Sequence, residues 1–167
     1  GSMVPFHSFH PFKNLVMYSM SKNRSQKPNR KRTVDVREER KATNVRELLT
    51  FSFKDLDQTQ PKKSPETLGV WSDKDLLPKL FERLMHLAKL TRSEAVNGKH
   101  IEQYGQFPDK DKTEFSIPSH VPLGANWSVI KRLGGKIRVA GYLIDNTFYI
   151  VFLDSEHKFF LSKLKHT

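Results

Sequence analysis

Residues Lys131–Phe160, KRLGGKIRVAGYLIDNTFYIVFLDSEHKFF, decide the fold, because apolar alternation, a tight-turn signal and site chemistry coincide there. Ile137, Val139, Gly141 and Leu143 alternate with Lys136, Arg138, Ala140 and Tyr142, and the period of two resumes through Phe148, Ile150 and Phe152. Asp145 and Asn146 both tolerate positive φ, so a two-residue primed turn between Ile144 and Thr147 is the economical connection. In that register Tyr142 faces Tyr149, Ala140 faces Val151 and Arg138 faces Leu153, while Val139 faces Phe152 and Leu143 faces Phe148. One face, through Val139, Leu143, Phe148, Ile150 and Phe152, is then apolar core. The other carries Arg138 and the Tyr142–Tyr149 pair, a basic and aromatic surface suited to phosphates and bases; a solvated or helix-covered sheet face would look the same.

Upstream, Trp127–Leu133 reads as a strand leading through Gly134-Gly135 into the hairpin. Residues 99–126 hold Gly105, Pro108, Pro118, Pro122 and Gly124 and read as irregular connection around one edge strand at Thr113–Ile117. A loop of that length is either functional or poorly ordered; it carries His100, Tyr104 and His120. In Ser72–Leu90, apolar residues at Leu76, Leu77, Leu80, Phe81, Leu84, Leu87 and Ala88 follow the spacing of an amphipathic helix. Asp73 or Asp75 would cap it, the latter placing Pro78 in the first turn. His86 lies on the flank of the stripe and reads as structural or solvated. Thr91-Arg92-Ser93-Glu94 has capping-box spacing for a short second helix that stops at Asn97-Gly98. Leu48–Phe53 reads as a short strand and Asp55–Glu66 as a loop.

The formal net charge of +11 and the pI near 9.9 favour a polyanionic partner, nucleic acid before an acidic protein or an anionic membrane. Much of the charge falls in Lys22, Arg24, Lys27, Arg30, Lys31, Arg32, Arg37, Arg40 and Lys41, so residues 1–43 read as a basic, disordered arm that becomes helical near Val34–Leu49. Such an arm either contacts phosphates or is merely solvated. Gly1-Ser2 reads as an expression scar, and Met17 and Met20 leave the natural start open. The sequence has no cysteine, which removes disulfides and thiolate chemistry and fits a reducing, cytoplasmic setting. No run approaches the roughly 20 apolar residues of a membrane span. The expected architecture is α+β: a single domain over residues 44–167, with N-terminal helices packed on a small antiparallel sheet that ends in a C-terminal β-hairpin.

The sequence contains no GxGxxG, HExxH or GxSxG and no phosphate-cradling glycine loop ending in Gly-Lys-Ser or Gly-Lys-Thr, so the corresponding nucleotide, redox, protease and hydrolase chemistries lose support. Its seven histidines lack ligand spacing, and neither a metal nor a cofactor is expected. The polar set Lys131, Arg132, Lys136, Arg138, Glu156, His157 and Lys158 instead suits metal-free RNA cleavage by 2′-OH attack. That reaction needs a base for the hydroxyl, an acid for the leaving 5′-oxygen and cations for the phosphorane charge.

Three segments bear on this: Gly135-Lys136-Ile137-Arg138-Val139, then Asp145-Asn146-Thr147-Phe148-Tyr149-Ile150-Val151, then Glu156-His157-Lys158-Phe159-Phe160. Over them the C-terminal third resembles the RelE/YoeB-like mRNA interferase toxins of bacterial toxin–antitoxin systems. The resemblance implies Arg138 as transition-state phosphate binder and His157 as general acid, with an acidic antitoxin-like protein as partner. It departs at Lys158, where a catalytic Tyr would be expected, and in the absence of an acidic base in the middle strand. The expected function is a toxin-type endoribonuclease with catalytic residues Arg138, His157 and Lys158. Lys131, Arg132, Lys136, Tyr142, Tyr149, Arg30, Lys31 and Arg32 would bind RNA, including ribosome-bound mRNA. A non-catalytic RNA-binding or ribosome-associated module and a protein-interaction factor are the alternatives.

Overall fold

The computed structural model describes residues 47–161. Along them run β1 (Thr50–Ser52), α1 (Leu68–Asp73), α2 (Leu77–Leu87), α3 (Arg92–Asn97), β2 (Ile101–Gly105), a 3-10 turn at Lys110–Lys112, β3 (Asn126–Ile130), β4 (Arg138–Ile144) and β5 (Thr147–Asp154). The class is α+β. The arm with Arg30, Lys31 and Arg32 lies outside the described residues. Of the helix expected to end at Leu49 only the last residues are described, and they are not helical: Leu48 bridges Thr91 and the chain passes into β1. No helix among the described residues is long and apolar enough to cross a membrane.

The five strands lie in the order β1-β5-β4-β3-β2. Neighbours are antiparallel except β1, which runs parallel to β5. The sheet is therefore mixed, not antiparallel throughout, and one strand precedes the helices. A parallel strand cannot follow its neighbour through a tight turn; here β1 reaches β5 across the whole intervening domain. Side chains fasten it there: Thr50 Oγ1 lies 2.9 Å from Thr147 Oγ1, and Asn146 Nδ2 donates to the Leu48 carbonyl at 2.8 Å.

The β4–β5 turn falls at Asp145-Asn146, with Asp145 at φ 52°. Ile144 pairs with Thr147, Leu143 with Phe148 and Tyr142 with Tyr149, as the alternation predicts. Beyond Tyr149 the register shifts. Gly141 pairs with Ile150, Ala140 with Phe152, Val139 with Leu153 and Arg138 with Asp154, so Val151 is the extra residue of a β-bulge. The cause is steric: a Cβ on Gly141 would overlap the Tyr149 carbonyl oxygen, so the two strands approach at a point only glycine permits. The bulge corrects the expected face assignment. Phe152 joins the far face and Leu153 takes its place beside Val139.

Both faces are covered. Val139, Leu143, Phe148, Ile150 and Leu153 pack with Leu49, Trp71, Leu80, Leu84 and Leu87 under the helices. On the other side Trp127, Val129, Ala140, Tyr142, Val151 and Phe152 pack with Phe115, Val121 and Phe159 from the loop and the C-terminal segment. Trp127 stacks on Phe152 at 5.9 Å and 10°, and Phe115 meets Phe152 at 4.5 Å. Complete burial of side chains such as Phe148 and Phe152 stabilises the fold by about 1.5–3 kcal/mol each.

The helix expected over Ser72–Leu90 is two helices. The first ends in a Schellman arrangement: Asp75 takes φ 57°, and the Leu76 N–H donates to the Trp71 carbonyl at 2.8 Å. Apolar spacing runs through the break because Leu76, which closes the first helix, is itself buried in the same core as Trp71, and this hides it from a periodicity count. Neither Asp73 nor Asp75 caps the second helix; Leu76 precedes it without a side-chain cap, and Pro78 sits in its first turn as expected. Leu80, Leu84 and Leu87 face the core, whereas Phe81 is exposed. α3 carries the full capping box, with Thr91 Oγ1 accepting from Glu94 N at 3.1 Å and Glu94 Oε1 accepting from Thr91 N at 2.9 Å.

The segment read as loop begins with a strand, β2, paired to β3 at the sheet edge. The edge strand expected at Thr113–Ile117 is instead irregular. That stretch lies along the C-terminal segment, where Glu114 N donates to the Lys158 carbonyl at 3.0 Å and Leu161 N to the Lys112 carbonyl at 2.7 Å.

Candidate functional site

Glu102 and Tyr104 on β2, Asp111 and Lys112 of the 3-10 turn, and His157, Phe160 and Leu161 line one cleft of about 680 Å³. Period-two alternation puts Glu102 and Tyr104 on the same side of their strand. The register with β3 then slips between Gln103 and Gly105, which re-aims Tyr104 at the cleft rim. The Tyr104 ring stacks on Phe160 at 4.9 Å and 21°. Burial, reinforced by the neighbouring Glu102 carboxylate, pushes the Tyr104 pKa up to about 12; the charge of Arg138 opposes this. Tyr104 is therefore a proton-bearing donor at neutral pH and stands within electrostatic reach of Arg138.

His157 is placed by two buried carboxylates. The Asp154 carboxylate, 1% exposed, accepts from the backbone N–H groups of Lys158 at 2.8 Å and Phe159 at 2.9 Å. Burial pushes its pKa up despite those two donors. Glu66 accepts from Ser155 N at 2.6 Å, from Ser155 Oγ at 2.9 Å and from the indole N–H of Trp71 at 2.9 Å. Residues on either side of His157 are thus tied to the core, and the turn holds His157 itself at φ 59°. That conformation costs a non-glycine residue about 1–2 kcal/mol.

The other sequence-selected residues fall as follows. Arg138 is half-buried, and its Nη1 donates to the carbonyls of Gly135 at 2.8 Å and Ile137 at 2.9 Å. Lys158 does not line the cleft; its ammonium lies 3.8 Å from Glu114. Lys136 pairs with Glu156 at 3.2 Å, and Lys131 pairs with Glu102 at 2.9 Å beside the cleft. Arg132 is exposed and sits 3.4 Å from His100 Nδ1.

Tyr142 and Tyr149 do stack, at 4.7 Å and 6°. They do not form the open basic face expected of them. Tyr142 is 1% exposed and its hydroxyl donates to the buried Asp55 carboxylate, while Lys54 lies 5.3 Å over the Tyr149 ring. Tyr142 is a packing residue, and only part of Tyr149 reaches the surface.

Glu102 and Tyr104 were missed as site residues because their strand was read as irregular. The alternation Ile101-Glu-Gln-Tyr was the available signal, and Gly105 at its end obscured it. Glu102 brings a carboxylate to the cleft from the edge strand β2, whereas no acidic base was expected in the middle strand. Among the described residues no group of three or more His, Asp or Glu side chains is placed to hold a metal ion. No protein-family model, curated protein or solved structure matches this chain.

Proposed function

We propose that the chain is an endoribonuclease of toxin type that cleaves RNA by 2′-OH attack on the adjacent phosphate. The observation that carries this reading is the cleft itself, where His157, Glu102 and Tyr104 converge, with Arg138 beyond its lining. Glu102 takes the proton from the 2′-hydroxyl, and the oxygen attacks phosphorus. Arg138 and the Tyr104 hydroxyl donate to the phosphorane oxygens, whose negative charge grows in the transition state. His157 protonates the departing 5′-oxygen. The products are a 2′,3′-cyclic phosphate and a 5′-hydroxyl, and every role is filled by a side chain. The stacked Tyr104–Phe160 pair offers a platform for one neighbouring base. The setting proposed is cytoplasmic, with ribosome-bound mRNA as substrate and an acidic antitoxin-like protein as the partner that silences the cleft.

The test is cleavage of end-labelled RNA, free and on ribosomes, in the presence of a chelator, with the termini identified chemically. Cyclic phosphate ends and a loss of about 10²–10⁴-fold in His157→Ala are expected, the range of a general acid. Absence of cleavage in both formats, or cleavage unchanged in His157→Ala and Arg138→Ala, refutes the proposal. Salt-sensitive RNA binding without cleavage would assign the cleft to a binding module instead.

A further inference from the structure

A second concentration of charge lies where α2 meets the connection between β3 and β4. Arg83 Nε donates to the Lys131 carbonyl at 2.9 Å, which fixes the guanidinium plane. Its Nη2 lies 2.6 Å from His100 Nδ1, and Arg132 Nη1 lies 3.4 Å from the same nitrogen. A ring nitrogen facing two guanidinium groups can only accept, so His100 carries its proton on Nε2. The His86 ring stands 5.4 Å from that of His100.

No carboxylate among the described residues pairs with Arg83 or Arg132, and Glu102 is engaged by Lys131. Burial and then the charge of Arg132 lower the Arg83 pKa, and burial followed by Arg83, Arg132 and His86 lowers that of His100. Burial is the larger cause of both shifts, and the neighbouring positive groups add to it. The geometry is also built at some cost, since Arg132 adopts φ 65° without being glycine. Gly98 belongs to the same construction. A Cβ there would lie 2.9 Å from His100 Cδ2, so only glycine leaves the ring its position.

We propose that Arg83, His86, His100 and Arg132 form a binding site for an oxyanion of the phosphate class, either free phosphate or a phosphodiester of a nucleic-acid strand. Two guanidinium groups and two imidazoles carry more donor hydrogens than the two oxygens of a carboxylate can accept, and they approach from α2 on one side and the β3–β4 connection on the other. A tetrahedral anion with three or four oxygens matches that number and that spread. The site does not depend on the ribonuclease reading, because none of its four residues lines the His157 cleft.

The experiment is an NMR titration of the full chain, following the imidazole signals of His100 and the Nε–H of Arg83. The probes are inorganic phosphate and, separately, a short single-stranded RNA, with ionic strength held constant by sodium chloride. Saturable shifts are expected, weakened about tenfold or more in Arg132→Gln, the loss of one charge-assisted hydrogen bond. Arg132 is exposed, so this variant leaves the core intact; Arg83→Gln serves as the second. Saturation by RNA at lower concentration than by phosphate identifies a strand as the source, and the reverse order identifies free phosphate. Binding that persists in His157→Ala separates this site from the cleft. Non-saturating shifts with both probes, or saturation that both glutamine variants leave untouched, overturn the proposal.

Discussion

Replacing Glu66 with alanine tests how the candidate cleft is held together. The carboxylate is 5% exposed and joins the start of the helical layer to the end of β5 through Trp71 and Ser155. Without it, the Trp71 indole N–H and the Ser155 backbone N–H are buried donors with no acceptor, while the Ser155 hydroxyl can rotate to another partner. Each orphaned donor costs about 1–3 kcal/mol, which sets the loss for Glu66→Ala at roughly 2–6 kcal/mol. A domain of this size has about 5–15 kcal/mol in total, so Tm should fall on the order of 10–20 °C. Glu66→Gln keeps one accepting oxygen and should lose about half as much. Ser155→Ala removes only a hydroxyl and should lose about 1 kcal/mol. Urea unfolding monitored by Trp71 and Trp127 fluorescence, with the slope m checked for constancy, measures all three. The reasoning is refuted if Glu66→Ala unfolds within about 1 kcal/mol of the parent, or if the glutamine variant is as damaged as the alanine one.

Two further outcomes follow from the sheet and its polar contacts. Gly141→Ala should fail to fold, or fold with a displaced β5, because the added methyl meets backbone and not a yielding side chain; circular dichroism and thermal melting check this. At Asp55, burial raises the carboxyl pKa, but the Tyr142 hydroxyl, the Lys54 ammonium and His120 together outweigh it, and the net shift is downward. A lowered folded-state pKa gives stability that is present above the unfolded value and lost as pH falls through the folded one. Asp55→Asn should therefore be destabilising near pH 7, with the gap narrowing below about pH 4, the ordinary aspartate range; urea titrations at pH 7 and 3.5 decide it.

The sequence was informative where a pattern and a turn reinforced each other. The hairpin register around Asp145-Asn146 was legible because both residue types suit the turn and Tyr142–Ile144 must then face Thr147–Tyr149. It became illegible at Ile150–Leu153, four apolar residues buried on a sheet covered on both faces, where no polar residue marks the change of phase. The only trace is Gly141 across from them. The break between the first two helices is similarly masked, since Leu76 serves the termination of one helix and the stripe of the next. At the cleft, the place of His157 on the tail of the hairpin could be read, but its neighbours could not, and Arg138, read as its companion, does not line the cleft. Glu102 and Tyr104 come from a five-residue edge strand with three polar or small members, too short and too mixed for periodicity to declare. The fixing of His157 by Glu66 and Asp154 depends on contacts across the whole domain, up to 89 positions apart, which no local pattern encodes.

The parallel seating of β1 against β5 imposes an order on folding. Thr50 and Thr147 are 97 positions apart, and closing a loop of that length costs about 4 kcal/mol of chain entropy. Strands β2 to β5 follow one another as sheet neighbours, so they assemble through much shorter closures. During N-to-C synthesis β1 is made first and seated last, and it waits without a partner until Thr147–Tyr149 has left the ribosome. Its three-residue length suits that wait: it is too short a template to capture another chain's edge, and just long enough to finish the sheet when its own partner arrives.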